Sequence, residues 1–277
     1  MANNTKPAIL CPSCGKLISA DAEKCIHCGM KNPGKFGLHS VLKKLFRNNI
    51  GFIQVVTYFC IGLYVLGLLI DPAELFRPKG LLSFLSPSIK SLYFLGMTGR
   101  IAIDSGRWWT LITAIYLHGG ILHILFNLLW IRQLGPMVEG LFGTARFIII
   151  FTISGVLGFM LSTIAKTPLT VGASGSIFGL LGALIYYGRA RGGVFGQVLY
   201  PQILTWAVVL FLFGFIFPRI DNFAHLGGFV GGYLCGRVFG YQEFKSETAG
   251  YRTFAVIVIT VTILSFTLNF LTLLILV

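Results

Sequence analysis

The chain has 277 residues, of which 55% are hydrophobic and only 11% charged. Soluble domains carry about 25% charged residues, so an ordinary soluble protein is excluded, and so is a disordered one, which needs low hydrophobicity and high charge. The net charge of +13 invites a nucleic-acid reading. Most of the basic residues border apolar runs, however, and the excess of Lys and Arg on the inner side of membrane proteins is the simpler cause. Nucleic acid is therefore not an expected partner.

Residues 1–30 are polar and read as having no signal peptide. They hold Cys11, Cys14, Cys25 and Cys28 in the spacing C-x2-C-x10-C-x2-C. Each CxxC pair suits a tight knuckle, closed by Gly15 or Gly29, in which the chain turns with positive φ and backbone N–H groups point at sulfur. Two knuckles give four thiolates in a tetrahedron, a closed structural zinc site. The segment is too short to bury a core, so the metal must supply its folding energy. A redox pair is the weaker reading, because no thioredoxin-like pattern surrounds it. His27 is at best a spare ligand. The cluster resembles the short zinc ribbons that precede many bacterial membrane proteins, which implies a binding or anchoring role with a cytoplasmic protein as partner. Cys60 and Cys235 lie in apolar stretches and read as small buried hydrophobes.

Residues 31–49 form a basic linker whose Lys43, Lys44 and Arg47 suit the cytoplasmic flank of a membrane helix. Seven apolar runs follow, at 51–70, 111–131, 147–165, 171–188, 199–217, 222–236 and 253–276. The first has 20 uncharged residues, enough to cross about 30 Å of hydrocarbon. Residues 71–109 read as a long loop lying partly in the interface. With the N-terminus inside, 15 basic residues fall on the cytoplasmic side and 7 on the other. That favours a multi-pass protein in the lipid bilayer, N-terminus in and C-terminus out. It also puts the cysteine pairs in a reducing compartment.

The expected fold class is an all-α membrane protein. Residues 1–30 form the zinc ribbon, 31–49 the linker and 50–241 a core of six transmembrane helices. Residues 242–277 supply a cytoplasmic loop and a seventh helix.

Polar groups at membrane depth are expensive and need a reason. Three clusters stand out. HGGILHILFN holds His118, His123 and Asn127; GASGSIFG holds Gly172, Ser174, Gly175 and Gly179; AHLGGFVGG holds His225, Gly228 and Gly232. The bland reading of the second and third is packing, since Gly175/Gly179 and Gly228/Gly232 are small-xxx-small faces. If those two faces meet, the Ser174 hydroxyl and the His225 imidazole meet too. Serine is a poor nucleophile until a base takes its proton, and histidine supplies that base. Glycines around Ser174 fit a strained helix entry with N–H groups facing an oxyanion, to which His123 and Asn127 add side-chain donors. Asp221 lies one turn before His225 and reads more simply as a helix-start residue, which leaves a Ser–His dyad.

These three motifs, in this order from about Gly51 to Gly240, resemble the rhomboid intramembrane serine proteases. The resemblance implies Ser174 as nucleophile and His225 as base. It implies oxyanion donors from the Ser174 backbone, His123 and Asn127, and matches Gly172 to the first glycine of GxSG. It further implies substrates that are membrane proteins with a transmembrane helix able to unwind, residence in a membrane such as the bacterial inner membrane, and no cofactor for hydrolysis. The run 253–276 resembles the extra C-terminal helix of one subgroup.

The chain departs from the family at the Trp-Arg pair of its first loop, where Trp109 is followed by Thr110 and Arg107 comes two residues earlier. Phe178 stands where the family often has a tyrosine stacked on the histidine. Glu139 and Arg146 fit an ion pair or helix caps, and Trp108 and Trp109 fit interfacial anchors. Two other functions use the same features: a non-catalytic rhomboid-like binder of transmembrane helices, and a transporter regulated by a zinc ribbon. Retention of both Ser174 and His225 argues against the first. The scarcity of ionisable groups along the other helices argues against the second.

Overall fold

The computed structural model describes residues 8–11, 16–19, 22–27, 29, 51–73, 85–217, 220–243 and 247–276. The chain divides into two compact units, Met1–Gly51 and Phe52–Val277. In the first, strands β1 (Ala8–Leu10) and β2 (Leu17–Ser19) form an antiparallel hairpin in the register Ala8↔Ser19 and Leu10↔Leu17. Beneath it Cys11, Ile18 and Cys25 make a small buried cluster. Cys14, Cys28, Gly15 and the basic linker lie outside the described residues.

The second unit is helical. In chain order it runs α1 (Phe52–Ile70), α2 (Ile89–Leu95), α3 (Arg100–Asp104), α4 (Thr110–Thr113), a 3-10 turn (Ala114–Tyr116), α5 (Ile121–Phe142), α6 (Thr144–Ile164), α7 (Ser174–Arg191), α8 (Gly193–Ile216), α9 (Asn222–Phe239) and α10 (Ala249–Leu276). Among the described residues, five helices are long and apolar enough to cross a membrane: α1, α5, α6, α8 and α10. The expected runs 171–188 and 222–236 fall on α7 and α9, each 18 residues long and rich in glycine. Arg189 and Arg191 in α7, and Asn222, His225 and Arg237 in α9, lower their apolarity together with the glycines, and α7 buries 13 of its 18 residues against its neighbours.

The expected run 111–131 is a correction. It is not one helix. The pair Gly119–Gly120 interrupts it, and α5 starts at Ile121 and continues past Arg132 and Glu139 to Phe142. Charges at a helix end are tolerated because their side chains reach toward water, so an uncharged-run criterion stops too early. The same bias shortens the starts of α6, at Arg146, and α10, at Arg252, while α8 begins six uncharged residues before the expected run.

The core lies where α6, α7 and α9 cross. A methyl on Gly232 would overlap the Gly179 carbonyl, and one on Gly228 the Gly175 carbonyl. A Cβ on Gly158 of α6 would lie 2.5 Å from the Ala224 carbonyl of α9. Three backbones therefore touch where only glycine permits it. Ser154 and Ser162 of α6, both fully buried, line the same crossing.

At the end of the bundle away from Ser174, Arg146 donates to the Phe239 carbonyl at 3.1 Å and the Phe142 carbonyl at 3.3 Å, and lies 3.7 Å from the Tyr251 ring centroid. Glu139 instead accepts from Thr144 Oγ1 at 2.6 Å. The ion-pair alternative for Glu139 and Arg146 thus gives way to capping.

Gly232→Ala should lower the unfolding midpoint in detergent sharply, because overpacking a tight seam costs about 1–3 kcal/mol or more. Gly250→Ala, where a Cβ meets nothing within 4 Å, should leave the midpoint unchanged. Thermal unfolding followed by circular dichroism compares the two.

Candidate active site

The turn before α7 is dictated by two glycine requirements at one position. Gly172 has φ +129°, a region L side chains rarely adopt. A Cβ there would also lie 2.6 Å from His123 Nε2. The His123 ring therefore rests directly over the turn. The Gly172 N–H donates to the Ala114 carbonyl at 2.9 Å, and the strand-like pair Thr98↔Thr170 holds the residues before it.

Helix α7 begins at Ser174, and its first turn is closed by Ile177 N–H donating to the Ala173 carbonyl at 2.9 Å. The N–H groups of Ser174, Gly175 and Ser176 precede that bond. They have no intrahelical acceptor and carry the positive end of the helix dipole. Ser174 is half-buried.

His225 stands in the first turn of α9, 6% exposed. Its ring stacks on Phe178 with centroids 4.2 Å apart and planes 17° from parallel. Phe178 is one turn after Ser174 on α7. The stack, together with the Gly175–Gly228 contact, brings the imidazole to the helix start that carries the serine. Among the described residues the buried His225 Nδ1 has no hydrogen-bond partner. Asp221 is engaged elsewhere: it caps α9 by accepting from Ala224 N–H at 3.0 Å and accepts from the Ser162 hydroxyl.

His123 and Asn127 share one face of α5. His123 Nδ1 accepts from the Gly119 N–H at 3.3 Å. A neutral imidazole that accepts at Nδ1 carries its proton on Nε2. The hydrogen bond thus makes Nε2 a donor, over Gly172. Asn127 Nδ2 donates to the His123 carbonyl at 2.7 Å, which leaves that nitrogen one further N–H. His118 is fully buried, with its ring 5.1 Å from that of His123, and neither of its nitrogens has a partner among the described residues.

The four cysteines are described in part. Cys11 is 0% and Cys25 2% exposed. His27 N–H points at Cys25 Sγ at 3.4 Å, and Gly29 has φ +74°. Both features are what a metal-binding knuckle requires. Among the described residues no group of three or more His, Cys, Asp or Glu gathers.

Asn269 escaped the sequence reading, and Trp109 has a different role from the one expected. Trp108 is 60% exposed, as an interfacial anchor should be, but Trp109 is 8% exposed and donates from Nε1 to Asn269. The anchor reading of Trp109 is therefore corrected. Arg107 also reaches Asn269, at 2.8 Å. Asn269 looked like part of a plain apolar run; its signal is that it is the one amide there. The role of α6 as third partner of the glycine seam was also legible, in Gly155 and Gly158, but not singled out.

With this geometry in place, the chain's relatives follow. The sequence profile of the Rhomboid domain matches residues 105–242. The rhomboid protease GluP of Bacillus subtilis (strain 168) is 34% identical over 158 residues, 57% of this chain and 31% of GluP. RHOMBOID-like protein 5 of Arabidopsis thaliana is 35% identical over 201 residues, 65% of this chain and 64% of its own. YdcA of B. subtilis is 39% identical over 138 residues, 49% of this chain and 69% of YdcA. The chain belongs to the rhomboid family, as a multi-pass membrane protein. It spans about a third of the length of GluP and just under two thirds of RHOMBOID-like protein 5.

Asp221→Ala should cost about 1 kcal/mol through the lost N-cap and lower the unfolding midpoint. It should leave most of any turnover at Ser174 in place, because Asp221 accepts from the Ala224 N–H and the Ser162 hydroxyl and not from the His225 ring. A loss of turnover as deep as that of His225→Ala would mean that the carboxylate orients the imidazole.

Proposed function

We propose that the protein is an intramembrane serine endopeptidase that cleaves transmembrane segments of membrane proteins with a Ser174–His225 dyad. The observation that supports this reading is the Phe178–His225 stack, since Phe178 lies one turn after Ser174 on the helix that Ser174 starts.

In the reaction His225 takes the Ser174 proton as Oγ attacks the scissile carbonyl. The carbonyl oxygen becomes an oxyanion. It lies against the helix-start N–H groups of α7, with His123 Nε2–H and the second Asn127 N–H as further donors. His225 then gives its proton to the leaving amine, and an acyl-serine remains. Water attacks the ester, His225 takes its proton and returns it to Ser174, and the second fragment leaves as a carboxylic acid. Phe178 keeps the ring plane in the absence of a carboxylate partner. Gly172 holds the turn open for His123, and His118 supports the loop without touching the reacting atoms.

With the N-terminus in the cytoplasm, α7 starts at the non-cytoplasmic face, so the water that hydrolysis needs reaches Ser174 from that side. On this reading α7 and α9 also cross the bilayer, and seven spans place the C-terminus outside. Substrates are membrane proteins whose helix is cheap to unwind, with small or helix-breaking residues near the cut.

The N-terminal unit is proposed to hold one structural zinc through Cys11, Cys14, Cys25 and Cys28. The metal supplies folding energy to that unit and takes no part in hydrolysis. A cytoplasmic protein or a substrate's cytoplasmic tail is its proposed partner.

Ser174→Ala and His225→Ala should each abolish cleavage of a single-span substrate and leave the fold intact. The double variant should be no worse, since the two act as one unit. A fluorophosphonate should label wild type and not Ser174→Ala; labelling that survives Ser174→Ala excludes this serine. His123→Ala and Asn127→Ala should reduce the rate by about 10²–10³ each, and wild-type rates in both would remove them from the oxyanion site.

Cys25→Ser should drop the zinc content from one per chain, read by atomic emission. Cleavage of a substrate without a cytoplasmic tail should be essentially unchanged. Loss of that cleavage in a folded variant would make the metal unit part of the catalytic machine.

A further inference from the structure

Asn269 is an amide inside the apolar helix α10, and it is 4% exposed. Burying an amide away from water is costly unless its hydrogen bonds are made, and such a residue at membrane depth calls for a function. Asn269 makes three. Its Oδ1 accepts from Arg107 at 2.8 Å and from Trp109 Nε1 at 3.3 Å, and its Nδ2 donates to the Phe94 carbonyl at 3.0 Å. All three partners lie in the segment between α1 and α5. Arg107, itself buried, also donates to the Tyr93 carbonyl at 2.9 Å and lies 4.2 Å from the Tyr93 ring centroid. Were Asn269 only adhesive between membrane helices, its partners would lie on α1, α5 or α6. They lie on a loop.

That loop holds the turn in front of Ser174. Thr98 and Thr170 exchange two backbone hydrogen bonds, at 3.2 and 2.8 Å. Arg100 N–H donates to the Thr167 carbonyl at 2.8 Å, and Gly172 N–H donates to the Ala114 carbonyl at 2.9 Å. Thr113 Oγ1 donates to the Gly96 carbonyl at 2.7 Å and closes the segment on itself. The connection therefore runs from Asn269 to residues 93–109, from there to 167–172, and so to the serine two residues on.

We propose that Asn269 is a positioning residue: α10 latches the 93–117 segment through this amide, beside the Phe266–Tyr116 ring contact, and thereby fixes the Gly172–Ser174 turn. The catalytic consequence rests on the reading of Ser174 as nucleophile; the mechanical one does not. Asn269→Leu has a similar volume and none of the hydrogen bonds. Without them the segment and the turn open more often, and the turnover number falls while KM holds, because the groups that bind the substrate helix are untouched. Asn269→Gln keeps both amide functions and recovers part of the loss.

The test uses the full chain in detergent, with two readouts on wild type, Asn269→Leu and Asn269→Gln. Hydrogen exchange by mass spectrometry is followed in peptides covering 93–117 and 165–174. Fluorophosphonate labelling and substrate cleavage are followed in parallel. Exchange in both peptides should rise about tenfold or more in Asn269→Leu, the factor that losing one or two net hydrogen bonds gives. Peptides from α7 and α9 should stay protected. Labelling and turnover should fall, and Asn269→Gln should lie between the two.

Unchanged exchange in both peptides overturns the latch, whatever the protein cleaves. Raised exchange with full labelling and turnover overturns the positioning role. Absence of labelling in wild type overturns the nucleophile reading instead, and exchange still decides the latch. If Asn269→Leu does not fold, Trp109→Phe removes a single hydrogen bond to the same amide, and unchanged exchange in that variant overturns the latch.

Discussion

The structure depends on three helix backbones touching where no side chain intervenes. Between α7 and α9, Gly182, Gly228 and Gly232 each face a carbonyl of the other helix, and Gly158 of α6 closes on Ala224 from the third side. In hydrocarbon the hydrophobic effect does not drive helices together, so close packing and hydrogen bonds must do it. A seam without Cβ atoms permits the closest approach. It also fixes the relative height of the helices, because a slip would drive side chains into backbone. Since Ser174 starts one of these helices and His225 lies in the first turn of another, packing and the placement of the candidate site are the same fact.

Around that seam, each polar group near Ser174 is set by a neighbour with a different task. Gly119 N–H selects the His123 tautomer. Phe178 sets the plane of His225 in place of a carboxylate. Asp221, the one acid nearby in sequence, is consumed by the helix start and by Ser162. The site is thus built from helix ends and ring faces, with no ion pair among the described residues close to it. That suits a region where isolated charges are costly.

The helices and the polar motifs were largely legible because both leave periodic or compositional marks. The helix ends were not, since Arg132 and Glu139 continue α5 beyond the uncharged run. The break at Gly119–Gly120 was visible as a glycine pair, yet apolar residues on both sides concealed it. Small-residue spacing posed the meeting of the Gly175/Gly179 and Gly228/Gly232 faces only as a condition, which the backbone contacts meet. The third partner α6 did not, because Gly155 and Gly158 are three apart within a long apolar stretch. Asn269 was passed over for a different reason: a run delimited by absence of charge is not broken by an amide, and its Arg107 and Trp109 partners lie about 160 residues away in sequence. Half of the cysteine set, Cys14 and Cys28, lies outside the described residues.

The glycine content that lets α7 and α9 approach one another has a cost during synthesis. On the seven-span reading, the second half of the chain alternates: apolar α6, weakly apolar α7, apolar α8, weakly apolar α9, apolar α10. Insertion into a bilayer is governed by the summed transfer cost of each segment, and α7 and α9 bring serine, histidine and bare backbone with little to offset them. Each is flanked on both sides by a helix that partitions readily. On that reading the strong neighbours would carry the weak ones across as hairpins, and the polar faces would be shielded once α6, α7 and α9 meet. The two helices that supply Ser174 and His225 are thus the ones least able to enter a membrane alone, and biogenesis of the site depends on the order of the chain around them.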